Sequence, residues 1–243
     1  MRSRRCQTRS KNPGDCSQVR FLSRLKRKCR KIQPFLLFGF LTADAWQVMI
    51  MIDQFIEGNK RFQETEFLKN RDYYQGLSKG QSPKVLWIGC SDSRVDPERI
   101  TNARAGEIFV HRNIGNIVPI SGWNFATVLE YAINHLKVND IVICGHSDCG
   151  AIKGLGKETD DAYIPFWLGN AITAKERVDQ RLAPASTPDE EKARLNEIVK
   201  ENVRLQLEHL RNYPLVKKAE REDKITLHGL YFDIEFGTLS PVT

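Results

Sequence analysis

Two stretches decide the fold. Val85-Leu86-Trp87-Ile88-Gly89 runs into Cys90-Ser91-Asp92-Ser93-Arg94, and Ile141-Val142-Ile143-Cys144 runs into Gly145-His146-Ser147-Asp148-Cys149-Gly150. Each begins as a short, largely β-branched apolar run and breaks at glycine into polar residues. That is the pattern of a strand buried on both faces that ends in a loop. Residues 108–110 and 225–227 read the same way, the last run continuing toward Tyr231.

Helical spacing separates these runs. Phe125, Val128, Leu129, Ala132, Ile133 and Leu136 follow the i, i+3, i+4, i+7 rule, which predicts a helix over 125–136. Thr187-Pro188-Asp189-Glu190 supplies an N-cap hydroxyl, proline at N1 and glutamate at N3, ahead of Leu195, Ile198 and Val199. Ile52, Phe55, Ile56 and Phe62 predict a helix just after Met51. Strands alternating with helices imply an α/β fold with a parallel sheet covered on both faces. Functional groups in such sheets gather beyond the carboxyl ends of the strands, where both polar loops fall.

The chain has 243 residues, 41% hydrophobic and 28% charged, which is globular composition. Its net charge of +7 is unevenly distributed. Residues 1–48 carry 12 Lys and Arg against Asp15 and Asp44, so the other 195 residues are mildly acidic. A nucleic-acid role for the folded part therefore lacks electrostatic support. No apolar run reaches the roughly 20 residues that span a bilayer. Two regions are expected: a non-globular basic extension over 1–48 and a single domain over 49–243.

Residues 1–34 have no periodicity, and their Cys6, Cys16 and Cys29 lack metal-like spacing. An apolar block over 34–41 is followed by Ala43-Asp44-Ala45. Export signal, Arg-rich organellar transit peptide, and translated sequence upstream of a true start at Met49 or Met51 all fit this composition. The last makes the extension dispensable and the protein cytoplasmic; the others send it to an organelle or out of the cell.

Cys90, His146 and Cys149 are soft or borderline metal ligands at two strand ends. His146 and Cys149 lie within one turn of each other, and Cys90 would arrive from an adjacent strand. Two sulfurs and one nitrogen suit zinc, and three protein ligands leave the fourth tetrahedral position open, as catalytic sites do. The plainer reading makes both cysteines small buried hydrophobes and His146 a helix cap. Their joint placement beside glycines favours the metal. Cys144 ends an apolar run and reads as core, while His111, His135, His209 and His228 read as structural or solvated. Arg94 can hold Asp92 bidentately, keeping it ionised beside the metal as hydrogen-bond acceptor or extra ligand.

The segments 90–94 and 144–150 together closely resemble the signature motifs of the β-class carbonic anhydrases. The similarity extends through Gly106-Glu107-Ile108-Phe109-Val110-His111-Arg112-Asn113-Ile114-Gly115-Asn116, Glu130-Tyr131-Ala132, His228-Gly229 and Glu57-Gly58-Asn59-Lys60-Arg61-Phe62, covering about residues 51–237. The resemblance implies four parallel strands plus an antiparallel edge strand, and one zinc per subunit on Cys90, His146 and Cys149. It also implies an Asp92–Arg94 pair as gate and acceptor. It makes Gln81 substrate-orienting, assigns Phe109, Ile114, Tyr131 and Gly150 to the substrate pocket, and points to a homodimer or higher homo-oligomer whose subunits share pocket residues. The implied reaction is reversible hydration of CO₂ to bicarbonate by metal-bound hydroxide. Hydrolysis of carbonyl sulfide or carbon disulfide on the same scaffold is the alternative, and a non-catalytic zinc or redox protein is a third.

In a gated subgroup of that family, bicarbonate occupies a pocket of Trp, Arg and Tyr. Trp87 and Arg112 match the first two, but Phe232 stands at the tyrosine position. Tyr231 beside it should face the other side of the strand. Gln81 and Asp96-Pro97 also look like the ungated subgroup. The expected site is open, with Asp92 paired to Arg94.

Overall fold

The structure, a computed structural model, describes residues 43–242, with side chains from residue 51 onward. The readings made on residues 1–34 and on Cys6, Cys16 and Cys29 lie outside the described residues. The chain divides after Arg71 into two units.

In the first unit, helix α1 (Ala43–Phe62) runs into a π-helical turn, Gln63–Phe67. The helix expected from residue 52 is therefore present and begins before Met49.

The second unit is built on one five-stranded sheet. Its elements are α2 (Arg71–Leu77), β1 (Val85–Cys90), α3 (Pro97–Thr101), β2 (Ile108–Asn113), α4 (Trp123–Glu130) and β3 (Asp140–His146). Then come α5 (Gly150–Lys153), α6 (Ile164–Leu168), α7 (Ile172–Arg181), α8 (Pro188–Asn212), α9 (Pro214–Arg221), β4 (Thr226–Asp233) and β5 (Thr238–Pro241). The strand order is β2-β1-β3-β4-β5. The first four strands are parallel and β5 pairs antiparallel with β4. This is the four-plus-one sheet implied by the resemblance.

The helix expected over 125–136 is α4 followed by a π-helical turn, Tyr131–Leu136, which ends at Lys137 in the left-handed region. The start signal at Thr187 works as read. Its hydroxyl accepts from the Glu190 N–H while Glu190 reaches back to the Thr187 N–H, closing a capping box.

Side chains of alternate parity on the strands build two apolar layers. Leu86, Ile88, Ile141 and Ile143 pack with Phe125 and Leu129 of α4, Val203 and Leu210 of α8, and Val216 and Ala219 of α9. On the opposite parity, Trp87, Val142, Cys144 and Phe232 form a smaller cluster with Val95 and, partly buried, Ile100 of α3. Helix α8 lies directly on the sheet at Gly145. A Cβ there would fall 2.8 Å from Val199 Cγ1 and 2.9 Å from Val203 Cγ2, which only glycine avoids.

Leu210 is fully buried in the larger layer. Leu210→Ala should destabilise the protein by about 2–5 kcal/mol through lost burial and a residual cavity. Chemical denaturation measures this; a loss under about 0.5 kcal/mol would mean that α8 does not carry the core.

Candidate metal centre

Cys90 is the last residue of β1 and His146 the last of β3. The two strands are adjacent and parallel, with Gly89 opposite Cys144, so both side chains arrive at one end of the sheet. Cys149 follows one short loop after His146, directly before α5. The three ligating atoms lie within 4.8 Å of one another, and the two sulfurs are 4.0 Å apart. Two 2.3 Å metal–sulfur bonds at a tetrahedral angle span roughly 3.8 Å, so the spacing fits a shared ion.

The imidazole is oriented for the same purpose. His146 Nδ1 lies 2.8 Å from the Ser147 carbonyl, which can only accept, so Nδ1 carries the proton. In the neutral imidazole that leaves a lone pair on Nε2, which is buried and has no hydrogen-bond partner. An orphaned buried acceptor facing two thiols is costly unless something fills it. A metal cation suits this donor set.

The electrostatics follow from the contacts. The Cys149 thiol donates to Cys90 and holds the Cys90 thiol well below its ordinary pKa against the opposing effect of burial, with the Gly115 N–H also donating to it at 3.4 Å. The same interaction, with burial, pushes Cys149 up. Burial pushes Cys144 up to about 12. Its sulfur donates to the Gly145 carbonyl within the Trp87 cluster and takes no part in the Cys90 group.

Arg94 grips Asp92 bidentately, Nε to Oδ1 at 2.9 Å and Nη2 to Oδ2 at 2.7 Å, and holds its carboxyl well below the usual range. Asp92 Oδ2 stands 3.8 Å from His146 Nε2. Two contacts were not foreseen. Asp148, at φ 58° between His146 and Cys149, takes a second Arg94 bond at 2.9 Å and pairs with Lys153. Arg112 donates to the carbonyls of Cys90 and Asp92 at 2.8 and 2.6 Å. A carboxylate between His146 and Cys149 and a basic residue on the neighbouring strand were the available signals.

The remaining expected residues are dispersed in this chain. Ile114, next to Gly115, is near Cys90, and Gly150 opens α5. Phe109 pairs with Leu86, four residues before Cys90, or about 13 Å along the strand, and its ring packs against Tyr131. Gln81 precedes β1 and lines a cavity of about 860 Å³ with Tyr73, Trp87 and Ile108, at the end opposite Cys90. Phe232 packs with Trp87, whereas Tyr231 packs with Cys90 and Cys149, so the two adjacent side chains do face opposite sides. None of the other histidines joins the cluster: His111 packs on Phe125, His209 meets the Val118 carbonyl and His228 pairs with Asp140.

Fold and site together define an α/β protein with a Cys-His-Cys group, able to hold a metal, at the carboxyl end of a parallel sheet. The family model described as carbonic anhydrase matches residues 85–239. A carbonic anhydrase of Pseudomonas aeruginosa is 40% identical over 190 residues, covering 76% of this chain and 84% of its own. One from Synechococcus elongatus is 38% identical over 197 residues, covering 77% and 70%. Among solved structures, the tetrameric β-carbonic anhydrases of Sordaria macrospora match with a TM-score of 0.72 at 34% identity, over 79% of this chain and 96% of theirs. The chain belongs to the β-class carbonic anhydrase family, whose general activity is CO₂ hydration. Among the described residues, no helix is long and apolar enough to cross a membrane.

After metal chelation at pH 7.5, peptide mapping with iodoacetamide should find Cys90 alkylated well before Cys144. The lowered thiol is already thiolate at that pH, and the raised one is almost wholly protonated. Equal labelling of the two in folded protein would contradict this electrostatic account.

Proposed function

We propose that the protein catalyses the reversible hydration of CO₂ to bicarbonate and a proton, using one zinc ion held by Cys90, His146 and Cys149. The observation that carries this reading is the buried, unpartnered Nε2 of His146 facing two sulfurs, with an ionised Asp92 3.8 Å away. When bound, zinc supplies a Lewis acid that ionises water near neutral pH.

The chain's own residues do the rest. Asp92 Oδ2 accepts a hydrogen bond from the nucleophilic water and so aims its lone pair at the carbon of CO₂. Arg94 keeps that carboxylate ionised and fixed, and Asp148 in turn fixes Arg94. Arg112 ties down the backbone of the 90–92 loop. Ile114 and Gly150 border the site, where an apolar wall suits a small apolar substrate. Phe109, Tyr131 and Gln81 do not reach Cys90 in their own chain, and we assign them to a partner copy's pocket within a homo-oligomer. The tetrameric relatives support that assignment. The domain boundary at 48/49 belongs to the same proposal: a chain beginning at Met49 keeps the whole region matched by the family.

Cys149→Ala should lose zinc and CO₂ hydration together, since two ligands rarely retain the ion. Cys144→Ala should keep both and cost on the order of 1 kcal/mol in stability. Zinc analysis with stopped-flow CO₂ hydration decides; equal zinc loss from both variants would overturn the ligand set.

The Asp92–Arg94 pairing and Phe232 also set a pH response. Between pH 6.5 and 9, kcat/KM should fall gradually on acidification with one ionisation, and added bicarbonate should leave the shape unchanged. A steep cooperative loss below about pH 8, deepened by bicarbonate, would show a working gate and contradict the open-site reading.

A further inference from the structure

We infer that Asn202 is a positioning residue for the metal centre: through the Gly115 carbonyl, its buried side-chain amide holds the Gly115 N–H on the sulfur of Cys90. This inference rests on the reading of Cys90 as a metal ligand.

Helix α8 carries two side-chain amides, Asn202 and Gln206, that are completely buried. Burying an amide is expensive unless its hydrogen bonds are met, so where those bonds go is informative. Gln206 Oε1 accepts from the Val118 N–H at 2.7 Å. A backbone N–H can only donate, and this fixes which end of the Gln206 amide is oxygen. Gln206 Nε2 therefore points the other way, donating to the Asn170 carbonyl at 3.1 Å and to Asn202 Oδ1 at 2.9 Å. With Oδ1 so engaged, Asn202 Nδ2 is directed at the Gly115 carbonyl, 3.1 Å away. The chain of contacts thus begins at one unambiguous donor and ends on the residue that touches the ligand.

Gly115 needs such a hold. Its φ is 81°, in the left-handed region, and an added Cβ would sit 3.1 Å from the Ala151 Cβ. A glycine has no side chain to anchor it, so the loop between β2 and α4 is fixed by its neighbours. Asn113 bonds across it to both the N–H and the carbonyl of Ile117, Trp167 Nε1 donates to the Ile114 carbonyl, and α8 holds Gly115 and Val118. The product of this bracing is one N–H on Cys90 Sγ at 3.4 Å.

A hydrogen bond to a thiolate draws charge from the sulfur and weakens its donation to a bound metal; such outer contacts tune the ion's acidity. The N–H on the sulfur belongs to the Ile114–Gly115 peptide, whose carbonyl the Trp167 Nε1–H holds at 2.7 Å, while Asn202 holds the Gly115–Asn116 peptide on the other side of the same α-carbon. Without Asn202 the glycine loses one of these two holds, its N–H shifts off the sulfur, the sulfur becomes a stronger donor, and the ion a weaker Lewis acid.

The test uses the full chain with Co²⁺ in place of the native metal, comparing wild type, Asn202→Leu and Leu210→Ala. Asn202→Leu should still bind cobalt, but its thiolate-to-cobalt charge-transfer band should move to longer wavelength. The zinc form should lose about 10-fold or more in kcat, with its pH midpoint raised. Leu210→Ala, which loses core packing on the same helix, should leave the band in place. If Asn202→Leu does not fold, Asn202→Ala reads the same band without steric demand. Cobalt-loaded Asn202 variants with an unmoved band would overturn the inference and leave the ligand assignment standing. Failure of wild type to take up cobalt would overturn both.

Discussion

The candidate metal centre depends on the parallel pairing of β1 with β3. A sulfur at residue 90 and an imidazole at residue 146 are far apart in the chain, and they meet because two hydrogen-bonded strands run the same way and end within one residue of the same level. A one-residue slip of either strand would turn that strand's end residue, Cys90 or His146, to the other face. What fixes the register is burial on both sides. Leu86 and Ile88 are locked into one apolar layer and Trp87 into the other, so slippage would have to exchange them. Helix α8 adds a second lock by pressing Val199 and Val203 onto Gly145, one residue before His146.

Around that fixed point, charge is arranged in a chain. His146 is oriented by the Ser147 carbonyl, Asp92 by Arg94, and Arg94 by Asp148, which sits between His146 and Cys149. Each member is held by the next, and the chain closes on the loop where it started. The acidic groups are kept ionised by the guanidinium and by Lys153, so the site presents acceptors with no mobile proton of their own.

Much of this was legible in sequence for a physical reason. A buried parallel strand is a short apolar run, and a loop that opens on cysteine or histidine at its carboxyl end announces itself locally. The capping box at Thr187 is likewise local chemistry. Strand β5 escaped because Thr238-Leu239-Ser240-Pro241 has no apolar pattern; it followed from the resemblance alone. The second carboxylate on Arg94 escaped because Asp148 reaches it only through a left-handed backbone turn. Gln81, Phe109 and Tyr131 were named from the resemblance, yet the fold of one chain leaves them well away from Cys90. No spacing rule reveals that distance, because it depends on the pairing of β1 with β2 and not on local sequence.

The central claim is that two sulfurs and one imidazole hold a single ion with one position open. X-ray absorption at the zinc edge of purified protein tests it most directly. The account predicts two sulfurs at about 2.3 Å and two lighter atoms at about 2.0–2.1 Å, with one of these showing the outer-shell scattering of an imidazole. A sulfur count other than two, no imidazole signature, or protein purified without a stoichiometric metal would contradict it.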